Sequence, residues 1–245
     1  FWHICLADFY YPQAIELGEK LQQIAPMNGR SRVYFGNSGT EAVESAIKLA
    51  MYKTGRTRFI GFFGAFHGRT LGSLSFTASK AVQRANYVSG VKVYHLPYPN
   101  AYRPILVQPE GESYGDTVID YLEEMIFRTT LAPEDVAAVL VEPIQGEGGY
   151  VVPAPGFFSR LRQVCVTGTA SCSSWMKFKA VLGALANGGP WSMKMFSPIL
   201  CALPKAWAAV CPSVALSPRK MLWIGSQVPT AARLGVIQLR PFLPW

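Results

Sequence analysis

Residues 36–40 (Gly-Asn-Ser-Gly-Thr) form a turn of small residues that could bind a phosphate group. The turn lies between a strand predicted over 32–35 and a helix predicted from Glu41. A helix that begins directly after small residues presents unpaired N–H groups and the positive end of its dipole to an anion. Ser38 and Glu41 also fit the capping pattern Ser-x-x-Glu, in which Ser38 would only stabilise the helix, and the residues alone leave both roles open. The turn has neither the lysine of a P-loop nor the spacing Gly-x-Gly-x-x-Gly, so it matches neither nucleotide-binding pattern.

A second segment, Phe66-His67-Gly68-Arg69-Thr70, follows a predicted strand. Loops at the carboxyl ends of strands are where α/β sheets bind their ligands. The Phe66 ring could stack on a planar cofactor, and Arg69 could bind a carboxylate through two hydrogen bonds. The alternative, that this aromatic loop only packs against the core, stays open on these residues alone.

A third segment runs from Glu142 to Gly149 (Glu-Pro-Ile-Gln-Gly-Glu-Gly-Gly) and follows the apolar run 136–141. The carboxylate of Glu142 or Glu147 could orient a cofactor or pair with an arginine. The alternative is a solvated loop whose glycines serve only as turns.

These three segments require a scaffold in which strands and helices alternate. Apolar spacing predicts strands over 32–35, 59–63, 91–96 and 136–141, and helices over 13–24, 41–52, 116–128 and 155–164. The wholly apolar run 136–141 is typical of a buried parallel strand. The alternation predicts an α/β fold with a mostly parallel sheet flanked by helices.

Taken in order, the motifs NSGTEA, FHGRT and EPIQGEGG resemble those of class III aminotransferases, including the 4-aminobutyrate enzymes. The resemblance covers roughly residues 7–165 and begins inside the large domain of that family. It implies an incomplete fold-type-I transferase domain over 1–165 and the cofactor pyridoxal 5'-phosphate. It implies transfer of an amino group from an ω-amino or related amino acid to a 2-oxo acid, in a cytoplasmic homodimer.

The same resemblance assigns roles to individual residues. It implies that Gly39 and Thr40 bind the cofactor phosphate and that the Phe66 ring stacks on the pyridine ring. Arg69 would hold a substrate carboxylate, and Glu147 would pair with a substrate-reading arginine that has no counterpart in this chain. The implied cofactor-binding set comprises Ser38, Gly39, Thr40, Phe66, His67 and Glu142.

The charges divide the chain near residue 165. Residues 1–165 contain all 15 acidic residues and 15 basic ones, whereas residues 166–245 contain eight basic residues and no acid, so the net charge of +8 lies there. The family needs a further Asp beside the pyridine nitrogen and a Lys that bonds the cofactor, yet no Asp follows Asp135. We therefore expect no catalytic residues, little turnover, and no well-packed continuation of the sheet beyond Cys165.

The genetic code suggests a cause for this division. The codons of residues 175–179 (Trp-Met-Lys-Phe-Lys), read one base earlier, must contain Asp-Glu and permit Val-Gln to follow, as in the family's cofactor segment. This reading predicts that 166–245 is an out-of-frame tail without a defined domain, and it gives Lys205 no role. The alternative is a non-catalytic protein that binds the cofactor or phosphate and pairs with a full-length homologue.

Composition argues against other classes of partner. The basic residues of 166–245 are scattered singly, without the run or stripe expected for nucleic acid. No stretch of about 18 apolar residues is free of Pro and Lys, so no membrane span is expected. The five cysteines lack metal-ligand spacing and are expected to be free thiols, with no metal site.

Overall fold

The computed structural model describes residues 9–24, 31–167, 175–178, 199–202 and 208–212. Within these residues the strands are β1 (Ser31–Phe35), β2 (Arg58–Phe62), β3 (Lys92–Leu96), β4 (Val136–Val141), β5 (Trp175–Phe178), β6 (Ile199–Ala202) and β7 (Ala208–Pro212). The α-helices are α1 (Pro12–Ile24), α2 (Gly39–Thr54), α3 (Leu71–Phe76), α4 (Tyr114–Asp120), α5 (Phe127–Thr129) and α6 (Phe157–Thr167). A π-helical segment, Tyr121–Ile126, joins α4 to α5, and short 3-10 turns lie at Ala81–Gln83 and Pro133–Asp135.

All seven described strands belong to one sheet in the order β1-β7-β6-β5-β4-β2-β3. The pairs β2·β3, β2·β4, β4·β5 and β5·β6 are parallel. The strand β7 runs opposite to the other described strands, since its pairs with β6 and β1 are both antiparallel. The expected α/β fold with a mostly parallel sheet is confirmed.

Helices cover both faces of the sheet, and the strand side chains alternate between them. Ile60, Phe62, Val139 and Val141 share one apolar cluster with residues of α4 and α6. On the opposite face, Phe59, Ala138 and Leu140 pack against the apolar stripe of α2, which consists of Ala42, Val43, Ala46, Ile47 and Ala50. Every residue of β4 is buried, as its uninterrupted apolar sequence predicts for a central parallel strand. No helix in the described ranges is long and apolar enough to cross a membrane.

The helix predicted over 116–128 begins two residues earlier than expected and changes its winding. Ser113 caps it, because the Ser113 Oγ accepts a hydrogen bond from the Gly115 N–H at 3.2 Å. The π-helical segment follows α4 directly, and apolar spacing at 3.6 residues per turn gives no signal for such winding.

The structure differs from one part of the expectation for the last third of the chain, namely that the sheet would not continue beyond Cys165; the absence of a defined domain over 166–245 stays a prediction. Residues 175–178, 199–202 and 208–212 continue the sheet as β5, β6 and β7. The expectation relied on the eight prolines of this segment, but Pro198 and Pro204 flank β6, and Pro212 falls only on the last residue of β7. At these positions proline delimits strands without breaking them. The remainder of 166–245, including Lys205, lies outside the described residues, apart from the final turn of α6.

Candidate functional site

The turn between β1 and α2 is a capped helix start. Ser38 has extended backbone angles, and its Oγ accepts a hydrogen bond from the Glu41 N–H at 3.3 Å. The Glu41 Oε2 accepts in return from the Asn37 N–H at 2.5 Å, one residue before the position that a standard capping box uses. The capping role of Ser38 is therefore confirmed. It is compatible with anion binding, because the Gly39 and Thr40 amides open the helix and have no acceptor within it.

Gly39 leaves space at this helix start. A Cβ added to Gly39 would meet no heavy atom of the described residues within 4 Å. The described residues therefore leave room beside the first turn of α2, whose unpaired N–H groups could bind an anion.

The loop that carries Phe66 and Arg69 is held in shape by Thr77. The Thr77 Oγ1 accepts from the His67 N–H at 3.0 Å and donates to the Gly68 carbonyl at 2.8 Å. The His67 side chain is buried, and its ring packs edge-on against Phe76 at 6.1 Å between centroids. His67 thus contributes to the packing beneath the loop.

Gly68 allows this loop to contact the start of α2. Its φ of +132° lies in a region that side chains rarely adopt, and an added Cβ would overlap the hydroxyls of Thr40 and Ser73. Only glycine fits here without a shift of the neighbouring groups. Motif reasoning gave Gly68 no role, although a glycine beside functional residues is the signal that could have indicated one.

Glu142 joins the other two segments at the end of β4. Its carboxylate is buried, with Oε1 accepting from the Phe66 N–H at 3.4 Å and Oε2 accepting from the Gly146 N–H at 2.8 Å. The Tyr98 hydroxyl donates to the Glu142 carbonyl at 2.9 Å. Burial, and then the charge of Glu142, raise the pKa of the Tyr98 phenol, so that this donor stays protonated.

Gln145 provides a second link between the same two loops. Its Nε2 donates to the Phe63 carbonyl at 2.8 Å, and its backbone pairs with Val151 in a bridge. A Cβ on Gly64 or Gly148 would overlap the Gln145 amide, so both glycines permit its close approach. Gln145 and Tyr98 are structural members of the site that the sequence analysis did not identify.

The predicted residues therefore converge at one edge of the sheet, where β1, β2 and β4 end. Thr40 touches the 68–73 segment, and Phe66 touches Glu142. Arg69 and Glu147 are exposed, and within the described part of the chain neither forms an ion pair. The roles of Ser38, Gly39, Thr40, Phe66, His67, Glu142, Arg69 and Glu147 toward a ligand stay predictions.

Comparison with known proteins identifies relatives along most of the described chain. Residues 1–170 match the family described as aminotransferase class-III. The chain is 37% identical over 166 residues to an alanine/serine racemase of Pyrococcus horikoshii, covering 66% of this chain and 35% of that protein. It is 39% identical over 159 residues to a probable 4-aminobutyrate aminotransferase of Bacillus subtilis, covering 63% of this chain and 35% of the relative. The chain thus spans about a third of the length of these relatives.

A longer match extends into residues 166–245, the acid-free segment that contains no Asp or Glu. An acetylornithine aminotransferase of Methanosarcina mazei is 33% identical over 228 residues, which cover 91% of this chain and 50% of that protein. A match of this length must include part of residues 166–245.

Solved structures share the fold. A transaminase solved with L-alanine superimposes with a TM-score of 0.72 at 22% identity, covering 89% of this chain and 54% of its own. An amine transaminase from an uncultivated Pseudomonas species, solved in its PLP-bound form, gives a TM-score of 0.58 at 28% identity over 69% of this chain and 38% of its own.

Proposed function

Because the chain belongs to the class-III aminotransferase family, we propose that its described site holds pyridoxal 5'-phosphate for transfer of an amino group. The substrates would be an ω-amino or related amino acid and a 2-oxo acid. The observation that carries the proposal is the convergence of the α2 start, the 66–70 loop and Glu142 at one sheet edge. Relatives named for ω-amino acids support it, including a 4-aminobutyrate aminotransferase and a 5-aminovalerate aminotransferase.

The residues of the site fit this cofactor because they offer hydrogen-bond donors to its phosphate and room beside Gly39. The amides of Gly39 and Thr40 open a 16-residue helix and would bind the phosphate, and an added Cβ at Gly39 meets no described atom within 4 Å. Phe66 is half-buried at the adjoining loop, where its ring can cover one face of a pyridine. When bound, the cofactor supplies an electron sink for the carbon that carries the amino group.

The other residues of the site would orient the cofactor and select the substrate. Glu142 fixes the Phe66 loop to the Gly146 loop through its two backbone hydrogen bonds. The guanidinium of Arg69 is exposed and would receive the carboxylate of the amino-acid substrate, which would favour substrates with a charged end. Glu147 is exposed on the 142–149 loop, where a basic group of the substrate or of another chain could reach it.

We propose further that this chain, as written, binds the cofactor without completing the reaction. The segment after Asp135 contains no Asp that could keep a pyridine nitrogen protonated. We also propose that a shift of reading frame near Cys165 produced the acid-free segment. Sequencing of the gene across the Cys165 codon tests this directly. The proposal is refuted if the nucleotides after the Cys165 codon, read one base earlier, do not encode the family's cofactor segment.

A second reaction is favoured by two of the relatives. The alanine/serine racemase of Pyrococcus horikoshii and an isoleucine 2-epimerase of Lentilactobacillus buchneri each match about two thirds of the chain. Racemisation uses one amino acid and needs no 2-oxo acid acceptor, so the two reactions are separable by their substrates.

The experiment combines binding with turnover. The purified chain is titrated with pyridoxal 5'-phosphate and, as a matched control, with pyridoxal, which lacks the phosphate. We expect the phosphorylated ligand to bind at least tenfold more tightly, because the α2 start recognises the phosphate. Turnover is then measured with 4-aminobutyrate plus 2-oxoglutarate and with L-alanine alone. Equal affinity for the two ligands would contradict the site, and turnover above that of free cofactor would contradict the proposed incompleteness.

A further inference from the structure

A cluster of hydroxyl groups surrounds the carboxylate of Glu44 behind the start of α2. The Thr40 Oγ1 lies 2.9 Å from the Thr70 Oγ1 and 2.6 Å from the Ser73 Oγ. Glu44, one helical turn after Thr40, accepts hydrogen bonds through Oε1 from the Thr70 hydroxyl and from the Ser73 N–H, the latter at 2.9 Å. The cluster therefore joins α2 to the first residues of α3.

Glu44 takes over the role that a capping residue would normally have in α3. Thr70 occupies the N-cap position, but its side chain makes no capping hydrogen bond. An N-cap side chain ordinarily accepts a hydrogen bond from the N–H at the position of Ser73. Here the Ser73 N–H donates instead to Glu44, which belongs to the neighbouring helix α2. The position of α3 is thus set by a residue of α2.

Two glycines permit this close approach. A Cβ on Gly72 would overlap the Glu44 carboxylate, and a Cβ on Gly68 would overlap the Thr40 and Ser73 hydroxyls. Gly68 and Gly72 lie on either side of Arg69 and Thr70. The backbone around Arg69 is therefore fixed to α2 from both directions, while the Arg69 side chain remains exposed.

We infer that Glu44 is a positioning residue that fixes the Arg69 segment against the first turns of α2, so that Arg69 and the helix-start amides address one ligand. This inference rests on the proposed function, since it assigns the ligand a phosphate and a carboxylate. Glu44 does not contact that ligand. It acts through Thr70 and Ser73 on the direction of Arg69.

The experiment uses two stable ligands that differ in one group. Pyridoxamine 5'-phosphate carries the phosphate alone, and N-(5'-phosphopyridoxyl)-4-aminobutyrate, a reduced secondary amine, adds the carboxylate. Their affinities are measured by calorimetry for the full chain and for the variants Glu44→Ala, Glu44→Gln and Arg69→Ala. Glu124→Ala serves as the control, because Glu124 is an exposed helical glutamate that, within the described residues, pairs with Arg128.

We expect Glu44→Ala to weaken the carboxylate ligand about tenfold, as loss of an aligned charged hydrogen bond would, and to change pyridoxamine 5'-phosphate binding about twofold or less. In the Arg69→Ala background, Glu44→Ala should have almost no additional effect on the carboxylate ligand. Glu44→Gln, which keeps one acceptor oxygen, should give an intermediate loss. Hydrogen exchange of the amides at 69–73 should rise in Glu44→Ala without any ligand present, and Glu124→Ala should match the unmodified chain.

The outcomes separate the inference from the proposed function. If the unmodified chain binds neither ligand, the proposed function fails and the inference with it. If it binds both, but Glu44→Ala weakens both equally, the function stands and the positioning role is refuted. A further tenfold loss from Glu44→Ala in the Arg69→Ala background would refute it as well, because Glu44 would then act independently of Arg69.

Discussion

At the scale of single residues, the site depends on close approaches that the motif pattern alone does not reveal. Glu142 was predicted to lie beside a cofactor, and the structure shows its two carboxylate oxygens bonded to the backbones of two loops. Gly68 was quoted as part of a motif, and the structure gives it a positive φ and a contact with Thr40. Residue types could be predicted from the sequence, because each motif limits the chemistry available. Partners such as Tyr98 and Gln145 could not, since long-range hydrogen bonds follow only from the three-dimensional arrangement.

The close approach at Gly68 leads to a stability prediction. We expect Gly68→Ala to lower the free energy of unfolding by about 2–4 kcal/mol, because a Cβ adds overlap with two hydroxyls to the cost of the positive φ. The matched control is Gly111→Ala, at a φ of +82° with no heavy atom of the described residues within 4 Å of the added Cβ. It should cost only about 1–2 kcal/mol, the strain of the backbone angle alone. Urea unfolding measures both variants, and equal losses would show that the contact with α2 is unimportant.

His95 makes stability depend on pH. Burial, and then the charge of Arg84, lower the pKa of His95 to about 4 from its ordinary 6.5, and its ring stacks on Phe63 at 5.7 Å. Between about pH 4 and pH 6.5, His95 therefore binds a proton in the unfolded chain but stays neutral in the folded chain. The contribution of neutral His95 to the free energy of unfolding is complete above about pH 6.5. It is lost as the pH falls toward 4, by up to about 1.4 kcal/mol per pH unit.

The variant His95→Phe tests this origin, because it keeps the stacked ring and removes the titrating group. We expect the loss of unfolding free energy between pH 7 and pH 5 to be smaller in His95→Phe than in the unmodified chain. Between pH 8 and pH 7 the two proteins should respond alike. An unchanged loss between pH 7 and pH 5 would assign the acid sensitivity to other groups.

At the scale of secondary structure, apolar periodicity predicted most elements up to residue 167 within a few residues. The strand over 136–141 agrees at both ends, and the helix predicted over 41–52 extends to Gly39–Thr54. The 3-10 turns, the short α3 and the π-helical segment were not predicted. Their hydrogen bonding departs from the 3.6-residue period on which the prediction relied, or extends over too few residues to show any period.

Arg160 provides a test of how α6 is held against α4 and the π-helical segment. Its guanidinium lies 2.8 Å from Asp120 and 3.1 Å from Glu123, with Asp116 at 3.9 Å. We expect Arg160→Met to lower the free energy of unfolding by about 1 kcal/mol, because three acidic groups lose their shared cation while the apolar stem is retained.

Ionic strength distinguishes this charge effect from lost packing. In about 1 M NaCl the difference between Arg160→Met and the unmodified chain should shrink to less than half, since salt screens partly exposed charges. The control is Arg128→Met, whose single exposed ion pair with Glu124 should contribute about 0.5 kcal/mol or less. A loss in Arg160→Met that salt leaves unchanged would indicate that the side chain acts through packing.

At the scale of the whole molecule, the sheet order links the two compositional parts of the chain. β1 pairs with β7 alone among the described strands, so the turn that follows β1, with Ser38, Gly39 and Thr40, is connected to the sheet through residues 208–212. Charge and proline content made these residues look unsuited to a sheet. The fully buried β4 requires a partner on each side, and the short apolar runs after residue 174 are long enough to form the missing strands.

This connection predicts that a backbone defect in β7 reaches the phosphate-binding turn. Ala209 pairs with Tyr34 on one side and with Ala202 on the other. We expect Ala209→Pro to remove a backbone donor from the middle of the ladder and to bend the strand away from its neighbours. Amide exchange measured by mass spectrometry should then accelerate at least tenfold over residues 31–35, while β2 and β4, which do not pair with β7, keep their protection.

Ala209→Val is the matched control for this change, because it alters the side chain but keeps the N–H and favours an extended backbone. Ala209→Val should leave both the amide exchange over residues 31–35 and the affinity for pyridoxamine 5'-phosphate unchanged. Ala209→Pro should weaken that affinity, because it releases the Ser38–Thr40 turn. Two results would contradict the argument in different ways. If Ala209→Pro leaves residues 31–35 protected, β7 does not hold β1 in place. If residues 208–212 are unprotected in the unmodified chain, the acid-free segment does not contribute strands in solution, and the expectation that it lacks a defined fold regains its physical basis.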